Sequence, residues 1–274
     1  MQNLSIGFIG AGNMATSLIR GLLNQGVPGG SLFAADIDSD KLTALASECG
    51  INAASPEELV NKADVIVLAV KPQVMRAVCS SLARPLAARE VQPLFVSIAA
   101  GVSLASLKQW LGGEPAVVRC MPNTPALVGK GATGLFANGA VSDARRSAAT
   151  LLLDAVGVSV WVESEADLDI VTAVSGSGPA YYFLFMEAMQ EAAIEMGMAE
   201  DLARLLVLQT AAGAAELAGQ SEDSVAELRR KVTSPGGTTE QAILQFESGG
   251  LRELVTKALT AARDKSIDLS RAAD

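Results

Sequence analysis

Two stretches of this 274-residue chain space glycines, hydroxyls and helix formers so that they could hold a ligand. Gly10-Ala11-Gly12-Asn13-Met14-Ala15 follows the apolar run "LSIGFI" and opens an amphipathic helical pattern. In that context Gly10 permits a tight turn, Gly12 lets a pyrophosphate approach the backbone, and Ala15 is the small residue where helix meets strand. The helix start adds N–H groups and positive dipole. A second β-rich run ends at Asp36, where an acid can meet an adenosine ribose, so the stretch reads as a dinucleotide site. Asp36 alone favours NADH, because a carboxylate pairs with a 2′-hydroxyl and repels a 2′-phosphate; Ser39 and Lys41 beyond it could serve a phosphate.

The other stretch is Ser234-Pro235-Gly236-Gly237-Thr238-Thr239, without an acid or a base among its six residues. Thr238-x-x-Gln241 has the form of a capping box, with Thr238 as N-cap of the helix "EQAILQFE". Gly236 and Gly237 then present backbone N–H groups at a positive helix end, a place for a carboxylate. Thr239 is left to reach the ligand, and Ser234 can brace the loop. A capped helix after a Pro-Gly turn, with no ligand, is the plainer reading of the same string. Between the two stretches, "VLAVKP" puts Lys71 and Pro72 at a strand end, and "RCMPNTPA" puts Asn123 between two prolines. Ligands of parallel sheets bind outside such strand ends, so the pair marks a crevice for nicotinamide and substrate. Taken singly, Lys71 reads equally as a surface lysine and Asn123 as turn chemistry.

The elements that must position these residues fall into two halves. Up to residue 162, short continuous apolar runs alternate with helix-length segments, the pattern of a parallel sheet covered on both faces. From residue 163 the β-rich runs stop and helices follow, broken at Gly197, Gly219, the "SPGG" stretch and Gly249-Gly250. Domains at 1–162 and 163–274 are therefore expected. In the helix after Pro179 the polar residues form one narrow stripe, Glu187, Gln190, Glu191 and Glu195, and 202–217 is nearly as apolar. Helices wet on so little of their circumference need neighbours on most sides; a second subunit supplies them, or the sheet domain and the chain's own bundle do.

Composition excludes other classes. A net charge of −9 argues against nucleic acid or an anionic membrane surface as partner and leaves a small molecule as the expected ligand. No apolar run reaches the ~18 residues of a membrane span, and a cytoplasmic protein is expected. Cys49, Cys79 and Cys120 have no CxxC spacing and read as small apolar residues. The chain contains no histidine, which removes the commonest general base and every Ser–His scheme.

"GFIGAGNMA", "AVKPQ", "VSIAAGV", "RCMPNTPA", "VSGSGPAY" and "VTSPGGTTEQA", in this order and spacing, resemble the Δ1-pyrroline-5-carboxylate reductase family over essentially the whole chain. The resemblance implies an α/β Rossmann-type N-terminal domain followed by an all-α dimerisation domain, a homodimer and often a ring of such dimers. It implies hydride transfer from NADPH, with NADH possible, to the C=N carbon of pyrroline-5-carboxylate, giving L-proline. It implies that Ile9, Gly10, Ala11, Gly12, Asn13 and Met14 hold the pyrophosphate and that Ala69, Val70, Lys71, Pro72 and Ala100 also contact the cofactor. The substrate carboxylate is implied to meet the 236–239 turn, with Thr239 facing the ring nitrogen and Glu165 near the substrate. Ser55-Pro56 stands where the resemblance to the family leads one to expect an asparagine beside the adenosine, which puts that contact in doubt. An iminium carbon is already electrophilic, so a hydroxyl and an anion-binding helix end suffice. A β-hydroxyacid dehydrogenase would need a catalytic lysine, and the helix after "GSGP" carries none; a cofactor-sensing protein without turnover is the rival from another class.

Overall fold

The computed structural model describes residues 4–273, and the chain divides into two compact units, Gly178–Ala261 and the remainder. In the first unit β1 (Ile6–Ile9), α1 (Asn13–Asn24), β2 (Leu32–Ala35), α2 (Ser39–Cys49) and β3 (Asn52–Ala53) are followed by α3 (Pro56–Lys62), β4 (Val65–Leu68), α4 (Pro72–Ala87), β5 (Leu94–Ser97), α5 (Leu104–Leu111) and β6 (Ala116–Met121). Then come β7 (Gly131–Ala137), α6 (Asp143–Asp154), β8 (Gly157–Trp161), α7 (Asp167–Val171) and a π-turn at Thr172–Gly176. The eight strands lie in the order β3-β2-β1-β4-β5-β6-β7-β8.

The central strands β1, β4 and β5 read as unbroken apolar runs because both of their faces are covered. Along β4, Val65 and Val67 pack into the core that contains α1 and α6, while Ile66 and Leu68 pack into the one that contains Met75, Leu107 and Trp110 of α4 and α5. β3 is not announced by the sequence: it is two exposed residues, too short and too polar for an apolar run. One pair departs from the parallel expectation. β6 and β7 are antiparallel, because Pro122–Lys130 holds only a 3-10 turn and a parallel crossover needs about a dozen residues or more. Ser55 and Glu58 form a reciprocal capping box at α3.

The second unit holds α8 (Gly178–Glu195), α9 (Glu200–Gln220), α10 (Val225–Lys231), α11 (Thr238–Ser248) and the start of α12 (Leu251–Ala273), whose end from Ala262 belongs to the first unit. Gly197 adopts φ +97 and closes α8, as its position in the sequence suggested. Phe185 and Phe246 meet in a tilted pair, 5.9 Å between ring centroids, and Glu247 accepts from Arg229 and Arg252, joining α10, α11 and α12. Burial is sparse: within this unit only Gly178, Ala203 and Val207 are buried among the described residues. Tyr182, Phe183, Leu184, Leu205 and Leu254 are each more than 60 % exposed. So small a core, with the narrow polar stripe of α8, leaves much apolar surface uncovered. Among the described residues no helix is long and apolar enough to cross a membrane.

Candidate active site

At the carboxyl edge of the sheet the chain builds an open, uncapped helix start. Gly10 takes φ +100, and a Cβ there would lie 2.6 Å from the Ala69 carbonyl oxygen, so only glycine lets this turn pack against the end of β4. Gly10 N–H donates to Ala35 O and Ala69 N–H to Ile9 O, both at 2.8 Å, which ties three adjacent strand ends together. Gly12 is the N-cap of α1 at φ −70 and ψ 176; it offers no side-chain cap, and a Cβ there would meet nothing within 4 Å. The first intrahelical bond runs from Thr16 N–H to Gly12 O, which leaves the N–H groups of Asn13, Met14 and Ala15 without an intrahelical acceptor. With no acid in the first turn, those donors face open space and fit a pyrophosphate.

Asp36 sits beside this turn, but its oxygens are already engaged. Oδ2 accepts from Ala11 N–H at 2.6 Å and Oδ1 from Asp38 N–H at 3.0 Å. Burial works to raise its pKa, yet the backbone donors of Ala11, Asp38 and Ile37 and the charge of Lys41 together hold the carboxyl below its ordinary 3.8. Lys71 is exposed at the N-cap of α4, with Pro72 as the first helical residue, and Val70 packs beside Gly10. Ala100 is exposed in the turn after β5, where Gly101 at φ +72 lies against Leu269 of α12.

Two of the expected site residues are bound into the framework. Asn123 is 8 % exposed; its Oδ1 accepts from Ala132 N–H at 2.9 Å and its Nδ2 donates to Ser175 O at 3.0 Å. Its amide thus ties the loop after β6 to β7 and to the π-turn. Glu165 Oε1 accepts from Arg119 at 2.9 Å and from Leu104 N–H at 2.8 Å, pairing a buried guanidinium and holding the start of α5. Arg119 is a residue that sequence reasoning missed; its signal was a lone cation inside the apolar run "AVVRCM".

The 234–239 turn differs from expectation by one residue. The N-cap of α11 is Gly237, at φ −83 and ψ 171, not Thr238, and no side chain caps the helix. Gly236, at φ +71, and Gly237 have their N–H groups engaged, by Glu240 Oε2 at 2.8 Å and by Ser234 O at 3.0 Å. The helix begins with Gln241 N–H to Gly237 O, so the donors left open are the N–H groups of Thr238, Thr239 and Glu240. Thr238 and Thr239 are exposed, and among the described residues neither hydroxyl has a partner. Ser234 braces the turn through its carbonyl rather than its hydroxyl. Among the described residues no group of histidine, cysteine or carboxylate side chains could hold a metal.

Two helix starts with open donors and a chain without histidine match the expectation of an enzyme that aligns an electrophile rather than activating a nucleophile. Comparison with known proteins agrees. Residues 165–269 match the family model "Pyrroline-5-carboxylate reductase dimerisation", and residues 5–101 match "NADP oxidoreductase coenzyme F420-dependent". A pyrroline-5-carboxylate reductase of Pseudomonas aeruginosa is 52 % identical, with 98 % of each chain covered. A solved pyrroline-5-carboxylate reductase from Coxiella burnetii superimposes with a TM-score of 0.93 at 45 % identity, over 97 % of this chain and 98 % of that one. One from Plasmodium falciparum, solved with NADP bound, gives 0.85 at 32 % identity over 98 % and 99 %. The chain therefore belongs to the pyrroline-5-carboxylate reductase family.

Proposed function

We propose that the chain carries out its family's reaction, reduction of the C=N bond of 1-pyrroline-5-carboxylate to L-proline, with NADPH held by the first unit and substrate by the α11 entrance. The open start of α1 at Gly12 carries this reading: donors and space are present where a pyrophosphate would lie, and nothing in the chain competes for them. Ile9, Gly10, Ala11, Gly12, Asn13 and Met14 hold the pyrophosphate, with Ala69, Val70, Lys71, Pro72 and Ala100 along the rim. When bound, the nicotinamide supplies the hydride. NADPH is favoured over NADH because the Plasmodium relative is described with NADP bound and because Asp36 spends its oxygens on Ala11 and Asp38.

The substrate carboxylate is held by the open N–H groups of Thr238, Thr239 and Glu240 and by the positive end of α11. Thr239 directs its hydroxyl to the ring nitrogen and holds the proton that the nitrogen carries. Glu165 acts from behind, fixing Arg119 and the start of α5. The assembly is a homodimer, from which a ring of dimers is built. Adding pyrroline-5-carboxylate to protein with NADPH and following absorbance tests the reading; an oxidation rate no faster than the spontaneous one overturns it.

A further inference from the structure

The end of α12 packs on the first unit through small residues. From Ala262 onward the helix belongs to that unit; Ala262, Ser266, Ile267 and Ser270 are withdrawn from solvent, while Arg263, Asp264, Lys265 and Asp268 are exposed. Positions four apart share one face, and with alanine and serine there the helix backbone can come close. Two contacts fasten it. Ser266, itself buried, donates its hydroxyl to Asp169 Oδ1 of α7 at 2.6 Å. Just beyond, Leu269 lies over Gly101: a Cβ at that glycine would stand 3.6 Å from the carbonyl carbon and the Cβ of Leu269. Gly101, buried at φ +72, belongs to the turn after β5, in which Ala100 is exposed. Asp169 follows in the same segment as Glu165, whose carboxylate holds Arg119 and the start of α5. One helical segment thus touches both the turn that carries Ala100 and the helix that follows Glu165.

The strand order says which part of a dinucleotide this turn would meet. Asp36 follows β2, on one side of β1, whereas β4 and β5 lie on the other side. A dinucleotide laid across the start of α1 with its adenosine toward Asp36 has its nicotinamide half toward the ends of β4 and β5. We infer that the end of α12 is a clasp for that half of the cofactor site: Ser266, latched to Asp169, and Leu269, seated on Gly101, are positioning residues that hold the Ala100–Gly101 turn in its binding shape. They act through the turn and not by touching the cofactor. A turn that occupies its binding shape for only a fraction of the time binds more weakly by that fraction. A helix end frays readily because its last carbonyls lack partners within the helix, and the Ser266 latch works against this. The inference rests on the cofactor reading proposed above and adds to it a remote segment on which affinity depends.

The test titrates the full chain and its variants calorimetrically with NADPH and with 2′,5′-ADP, which has the adenosine half and no nicotinamide. Ser266→Ala removes the latch and keeps a good helix former; Leu269→Gly removes the Cβ that seats on Gly101 and loosens the last turns. Each should weaken NADPH by about 3- to 10-fold, the weight of one hydrogen bond, and leave 2′,5′-ADP within about 2-fold of wild type. Asp169→Asn keeps an oxygen that can accept from Ser266 and should bind NADPH like wild type, as should Lys265→Ala, exposed beside the latch. Equal losses for the two ligands assign the end of α12 to general stability and overturn the clasp. Wild type that binds neither nucleotide overturns the cofactor reading and the clasp with it. Wild type that binds NADPH, with Ser266→Ala and Leu269→Gly binding it equally well, removes the clasp and leaves the cofactor reading standing.

Discussion

Replacing Gly12 by valine separates ligand binding from folding, because the two glycines of the nucleotide turn are glycine for different reasons. Gly12 has a φ of −70, open to any residue, and a Cβ there meets nothing within 4 Å. The folded protein should accept the side chain, at a cost of at most about 1 kcal/mol for a poorer N-cap. In a unit of this size that lowers Tm by roughly 2–4 °C. The isopropyl group would stand over the N–H groups of Asn13, Met14 and Ala15. Excluding a phosphate from even one charge-assisted bond, worth about 1.5–3 kcal/mol, weakens NADPH binding by roughly 10- to 150-fold. Gly10→Ala is the contrasting variant. At φ +100, with the new Cβ 2.6 Å from a backbone oxygen, it should lose about 2 kcal/mol or more and melt several degrees earlier. Calorimetric titration with NADPH beside thermal melts gives both numbers. Wild-type affinity in Gly12→Val, or an affinity loss no larger than its loss of folded protein, would refute the assignment of α1 as the pyrophosphate site.

Asp36→Asn should weaken NADPH and NADH by a similar factor, since it loosens the turn at Ala11; a shift of the NADPH:NADH affinity ratio toward NADPH of more than about 10-fold would show instead that the carboxylate reads the ribose. Because its folded-state pKa lies below 3.8, the stability that Asp36 contributes is complete above that value and is lost as pH falls through the lower, folded-state pKa; wild type and Asp36→Asn should differ in Tm at pH 6 and converge in strong acid. Thr238→Ala should change stability by less than about 0.5 kcal/mol, the size of an ordinary propensity difference at a residue that caps nothing. Thr239→Ala should be as stable yet lose about 10- to 1000-fold in kcat/KM, and normal turnover would remove its hydroxyl from the site. Glu165→Ala strands the Arg119 guanidinium, which is 8 % exposed, and should cost about 2–3 kcal/mol in a denaturant titration, with a Glu165→Ala/Arg119→Met double variant recovering most of it.

What could be read in advance follows from where each signal is stored. The sheet strands announce themselves because two-sided burial demands unbroken apolar runs, and the glycine turn because strand, Gly-x-Gly and helix are all local. β3 is invisible for the same reason: its hydrogen bonds to β2 are supplied by the neighbour, and its own two side chains are exposed. The framework bonds of Asp36, Asn123 and Glu165 are hidden from sequence in one common way. Each is a polar side chain near a strand end, where chemistry is expected, but each meets partners at separations of 25, 52 and 46–61 residues, contacts that no local pattern contains.

The 238–241 stretch shows a subtler limit, because the error there is local. Thr-x-x-Gln fits the capping formula, but the helix starts one residue earlier, at a glycine that the formula does not include, because the backbone decides. Gly236 can take φ +71 where a threonine would be strained, and that turn places Gly237, extended, at the helix boundary. Glu240 then occupies the third helical position and accepts from the N–H of Gly236, one residue before the N-cap, where the pattern has Gln241 reach back to the N-cap itself. The shift has a chemical result. A threonine N-cap would have spent its hydroxyl on the helix, whereas a glycine N-cap leaves two hydroxyls and three N–H groups unspent at the same positive end. The residue that appears least able to act, a glycine with no side chain, is what keeps this helix start free for a carboxylate ligand.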